Sequence, residues 1–199
     1  MSIHEECGVF GVYSEKTDDV ASLVYYGLFA LQHRGQEGCG IVVNDDGVFT
    51  AHKGLGLLSE VFTPNEMKKF PHGEIAVGHV RYGTTGGNNL SNCQPIQVNH
   101  LKGKLAVAHN GNLSNALPLR RVLELSGAIF HSTSDTETIA YVITRERITA
   151  PSIQEAVIER VRHPAFGYFS PRDEYFDSII RWHETRNHVS GLEKKHIGY

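Results

Sequence analysis

The pair Asp46-Gly47 constrains the fold of this chain more than any other feature. It joins two apolar, β-branched runs, CGIVVN at 39–44 and GVFTAHK at 47–53. Asp-Gly in that setting signals a two-residue hairpin, because both central residues of the favoured turn need positive φ. Antiparallel pairing is therefore expected here. Further strand-like runs are CGVFGVYS at 7–14, EIAVGHVRY at 74–82 and KLAVAHN at 104–110.

Helical spacing appears between and after these runs. In TDDVASLVYYGLFALQHRG (17–35) the apolar positions are Val20, Leu23, Val24, Leu28 and Leu31. Thr17 or Asp18 is placed to cap its start, and Gly35 lies just past its end. NALPLRRVLELSG (115–127) tolerates Pro118 only in its first turn, with Gly127 as its stop. STSDTETIAYVITRE (132–146) places Glu137 three residues after Ser134, a capping-box pattern, and Ser152 with Glu155 repeats it. Strands come in neighbouring groups and helices follow. That order excludes regular βαβ alternation and predicts an α+β fold with helices packed on antiparallel sheets.

The chain has 199 residues, 40% of them hydrophobic and 21% charged, which suits one globular domain. A net charge of −3 gives no electrostatic footprint for nucleic acid. No apolar run has spanning length and no signal peptide is present, so the cytoplasm is the expected compartment, without membrane contact. Three widely spaced cysteines, Cys7, Cys39 and Cys93, fit free thiols better than a disulfide framework or a zinc knuckle. Cys39, inside an apolar run, reads as a buried hydrophobe, while Cys93 stays open. Twelve histidines form no metal-ligand spacing, so no metal is expected.

Four loop-like stretches remain: LQHRGQEGCGI (31–41), GHVRYGTTGG (78–87), AHNGNLSN (108–115) and STSDTE (132–137). Each alone is explained by turn chemistry. Taken with CGVFGV (7–12), in this order and at these spacings, they resemble the glutaminase domain of the amidophosphoribosyltransferases. That family belongs to the N-terminal-nucleophile (class II) glutamine amidotransferases. The resemblance spans roughly residues 1–158.

It implies a four-layer αββα fold, incomplete at its C-terminus here. It implies that residues 1–6 are a propeptide and that Cys7, once N-terminal, is the nucleophile. The chemistry requires that placement, since an α-amine titrates near pH ~8 and can relay a proton, whereas an amide cannot. It implies an oxyanion hole from Asn110 and the Gly111 backbone N–H. Arg81 would clamp the glutamine α-carboxylate, and Asp135 would meet the α-ammonium. Thr84 would touch the substrate, Arg34 would order the Cys7 end, and His79 would be structural.

Residues 7–158 would thus be the glutaminase domain, and 159–199 a divergent tail of rearranged origin. The family's second domain, which holds phosphoribosyl pyrophosphate and Mg²⁺, has no counterpart in this sequence, so no cofactor is expected in this chain. Glutamine is the implied substrate. Self-association is left open, since the family's assemblies lean partly on the second domain. The competing readings are an inactive remnant, a glutamine-binding module without turnover, and a glutaminase feeding an acceptor on another chain.

Overall fold

The structure is a computed structural model that describes residues 7–82, 89–113 and 115–162. The expected propeptide 1–6, Thr84 and residues 163–199 of the expected tail lie outside the described residues.

The hairpin forms as its turn residues require. Strands β2 (Gly38–Asp45) and β3 (Val48–Leu55) pair antiparallel, with Asp45 opposite Val48. Asp46 has φ 43° and Gly47 φ 88°, the two positive values of the favoured turn. β1 (Gly8–Asp18) and β4 (Gly73–Arg81) complete a four-stranded antiparallel sheet in the order β1-β4-β2-β3. β1 extends beyond the expected run, with an irregular register after Tyr13. A second antiparallel pair, β5 (Ile96–His100) and β6 (Gly103–Val107), faces the first sheet. β5 was not among the expected strands. Its signal was a short alternation, with Ile96 and Val98 on one face and Gln97 and Asn99 on the other.

Four layers follow from which residues each strand buries. Helix α1 (Val20–Ala30) lays Val20, Ala21, Val24 and Leu28 on the outer face of the first sheet, against Cys39, Ile41, Val43, Ala76 and Val80. The short helices α2 (Leu58–Val61) and α3 (Pro64–Met67) lie near that core through Leu58 and Met67. The inner faces of the two sheets meet through Val42, Val77, Ala106 and Ala108. Helices α4 (Ala116–Leu125), α5 (Asp135–Arg147) and α6 (Ile153–Arg162) follow, and a core of Leu105, Val107, Leu113, Ile139, Ala140 and Ile143 joins α5 to the second sheet. Burying one such aliphatic side chain contributes about 1.5–3 kcal/mol, so these contacts hold the layers together. Because β2 is covered on both faces it is continuously apolar from Cys39 to Val43, rather than alternating.

Three cap expectations are corrected. Asp19, not Thr17 or Asp18, caps α1, accepting from the Ser22 N–H at 3.1 Å. Gly35 does not end that helix, which stops at Ala30 and tightens into a 3-10 turn at Gln32–Arg34. Ser134 caps α5 by accepting from the Thr136 N–H, but the Glu137 carboxylate does not close a capping box. It reaches back to the loop before the helix. Gly127, by contrast, ends α4 as expected: at φ 97° it donates its N–H to Glu124, while Ala128 donates to Leu123. α6 runs to Arg162, across the expected boundary at 158.

Candidate active site

Side chains alternate across β4, so Val77, His79 and Arg81 share the face turned toward the second sheet. Val77 sits in the apolar contact between the sheets, while His79 and Arg81 are buried farther along the strand. One strand face therefore runs from a greasy interior to a guanidinium at its end. His79 is fully buried, and its pKa is pushed down to about 3, first by burial and then by neighbouring His109 and Arg81.

That neutral histidine makes a pH prediction. The unfolded chain protonates His79 below about pH 6.5 and the folded chain does not, so stability is complete above that value and falls as pH drops toward 3. Between pH 7 and 5 the loss through this group is on the order of 2 kcal/mol. Urea unfolding at both pH values should show it, and His79→Asn should flatten the dependence. An unchanged slope in that variant would contradict the assignment.

Cys7 lies just before β1, at the strand end where β4 finishes. The Tyr82 N–H points to its sulfur at 3.4 Å. Its carbonyl oxygen accepts from the Arg34 Nε at 2.7 Å and from the Asn110 Nδ2 at 3.4 Å. Three remote segments thus converge on one residue. Cys7 also has φ 54°, a left-handed conformation that costs a non-glycine residue about 1–2 kcal/mol.

Asn110 and Gly111 follow β6 after Ala108 and His109. The His109 N–H just before them donates to the buried Gln94 Oε1 at 2.6 Å. Gly111 has φ 149°, and a Cβ there would lie 2.9 Å from the His109 Nε2, so both backbone and space favour glycine. Asp135 opens α5, and its Oδ2 accepts from the Leu113 N–H at 2.7 Å, tying the helix start to the loop that carries Asn110.

The loop before Asp135 is held from within. Buried Glu137 accepts from the His131 N–H, the Ser132 N–H and the Ser132 hydroxyl, the last two at 2.7 and 2.6 Å. Asn92 holds the next residue, accepting from the Thr133 N–H and donating to its Oγ1, both at 2.9 Å. Sequence reasoning missed Asn92, Gln94, Tyr82 and this use of Glu137. The only legible trace was the polar NCQ placed against a strand-like run.

The thiols differ by environment. Burial, helped by Cys93 and Glu60, pushes Cys39 up to about 12, as suits an inert core residue. Burial also raises Cys93, opposed by the Arg81 guanidinium beside it and by Lys53. Among the described residues no group of three or more His, Cys, Asp or Glu is arranged to hold a metal ion, and no helix is long and apolar enough to cross a membrane.

The geometry brings Cys7, Arg34 and Asn110 together and places Gly111, Arg81 and Asp135 on the segments around them. Residues 63–147 match the glutamine amidotransferase domain family. Amidophosphoribosyltransferase of Staphylococcus aureus (strain Mu50) is 45% identical over 166 residues, which is 83% of this chain and 33% of that protein. The Methanocaldococcus jannaschii enzyme is 45% identical over 174 residues (87% and 36%), and that of Bacillus subtilis 50% over 144 (72% and 30%). A solved structure described as the allosteric regulatory enzyme of purine biosynthesis superposes with TM-score 0.68 at 45% identity, covering 76% of this chain and 32% of that one. The B. subtilis glutamine phosphoribosylpyrophosphate amidotransferase with ADP and GMP gives 0.66 at 43% identity, covering 76% and 31%. This chain spans about a third of the length of these relatives. Four layers, an N-terminal-nucleophile fold and this set of matches lead to one conclusion: the chain carries a glutamine amidotransferase domain of the amidophosphoribosyltransferase family.

Proposed function

We propose that this chain hydrolyses glutamine to glutamate and ammonia, the ammonia-supplying half of the amidophosphoribosyltransferase reaction that opens de novo purine synthesis. The observation that carries the reading is the convergence of Tyr82, Arg34 and Asn110 on Cys7. The Cys7 sulfur attacks the side-chain amide carbon, and its proton passes to the residue's own α-amine. The resulting oxyanion is met by the Asn110 amide and the Gly111 N–H. The α-amine then protonates the departing ammonia, leaving a thioester that water cleaves to glutamate and free thiol. Arg81 holds the substrate carboxylate in a bidentate pair, Asp135 takes the ammonium, and Thr84 adds a contact. Arg34 fixes the Cys7 carbonyl, so the sulfur has one position.

The scheme needs a free amine on Cys7, hence removal of Met1–Glu6. Local conformation favours that step. φ at Cys7 exists only while a peptide bond precedes it, so a cut at Glu6–Cys7 releases the left-handed strain. Transfer of ammonia to phosphoribosyl pyrophosphate would use a Mg²⁺-dependent second domain, to which the residues described here are the partner. Release of glutamate from glutamine by the purified chain tests the proposal: one glutamate per ammonia is expected, and no release above background would overturn it.

A further inference from the structure

We propose that Asn92, Cys93 and Gln94 form one bracing segment that positions the separate arms of the glutamine site relative to one another. The inference rests on the glutaminase reading and deepens it. Each of the three residues reaches a different arm. Asn92 grips Thr133, two residues before Asp135, through paired hydrogen bonds of 2.9 Å. Cys93 stands beside the Arg81 guanidinium. Gln94 takes the His109 N–H at 2.6 Å, one residue before Asn110. Asn92 ends a 3-10 turn, and Cys93 and Gln94 follow it without a break. Consecutive residues of one segment cannot move independently, so the ammonium, carboxylate and oxyanion positions share one reference.

The segment itself is immobilised. Asn92, Cys93 and Gln94 are all buried, and the Lys53 Nζ donates to the Cys93 carbonyl at 2.9 Å. Two glycines of β2 make room for it. A Cβ on Gly38 would lie 2.7 Å from the Cys93 sulfur, and one on Gly40 only 2.3 Å from the Gln94 carbonyl oxygen. This gives a physical reason for the second and third glycines of RGQEGCG, Gly38 and Gly40: they let the brace sit flat on the sheet.

The brace makes its two ends separable in kinetics. Gln94→Leu removes the acceptor for His109 and loosens the oxyanion arm, which matters only in the transition state. It should lower kcat about tenfold or more with KM within about twofold. Asn92→Leu frees the Asp135 arm, which holds substrate throughout, and should raise KM about tenfold with kcat within about twofold. Gln94→Glu and Asn92→Asp keep the acceptor oxygens and should recover most of each loss. Thr133→Val, at an exposed position, removes the hydroxyl's two bonds to Asn92 and keeps the one from its N–H, without a buried change, and should raise KM in the same sense. That variant keeps the test open if a leucine variant does not fold. Steady-state glutamine hydrolysis by the full chain reads all of these. Wild-type activity with kcat and KM moving together in every variant, or not at all, overturns the brace alone. A wild-type chain without turnover overturns the glutaminase reading and the brace with it.

Discussion

Cys7→Ala will reduce glutamine hydrolysis by at least about four orders of magnitude, to background, while leaving the fold in place. The sulfur is the only protein group that forms a bond to substrate carbon in the scheme, so no other side chain replaces it. Cys7 is only half-buried and belongs to none of the buried apolar clusters, so the variant should melt within about 0.5 kcal/mol of wild type. Glutamine should still bind, because Arg81 and Asp135 are untouched. Cys7→Ser should also fail, since a hydroxyl is far harder to ionise than a thiol at neutral pH. Glutamate release and a thermal melt on the same samples check both halves. A Cys7→Ala protein that retains turnover would remove the nucleophile from the account.

Asn110→Ala will lower kcat about 10²–10³-fold with little change in KM. The amide contributes most when negative charge develops on the substrate oxygen, and little to the ground state. Its support is local: Asn110 follows a strand end whose preceding N–H is fixed by Gln94, and its Nδ2 already lies 3.4 Å from the Cys7 carbonyl. Asn110→Asp should be at least as damaging, because a carboxylate repels the oxyanion it replaces a donor for. A KM effect of that size with unchanged kcat would make Asn110 a ground-state binding residue instead.

Most of the first sheet was legible because its signals are local. Asp46-Gly47 set the hairpin, and the spacing of Val20, Val24 and Leu28 set the helix that covers it. β5 escaped because five residues of weak alternation after a proline carry little periodic information. The cap at Asp19 escaped because three adjacent residues, Thr17, Asp18 and Asp19, could each serve, and the choice depends on where β1 ends. Glu137 is the more instructive case. Its spacing from Ser134 fits a capping box, but tertiary structure supplies the loop N–H groups of His131 and Ser132, and these bind the carboxylate instead.

The site was legible through its resemblance more than through its chemistry. Cys7, Arg34, Asn110 and Asp135 stand 27, 76 and 25 positions apart in sequence, and no periodic rule brings them together. Strand register does part of the joining: Gly8 opposite Val80 and Gly38 opposite Arg81 bring the ends of β1, β2 and β4 to one place. Asn110 is joined by its amide's bond to the Cys7 carbonyl, and Asp135 by its bond to the Leu113 N–H. The bracing segment was invisible for the same reason. Gln94 matters through a hydrogen bond to a residue 15 positions away on a neighbouring strand end.

The most direct test is the intact mass of the purified chain, before and after incubation with an electrophilic glutamine analogue. The account predicts a mass short by Met1–Glu6 and a single stoichiometric adduct, located on Cys7. An uncut mass with no adduct would contradict it, because a chain with an amide at Cys7 and an unreactive sulfur is not a working glutaminase.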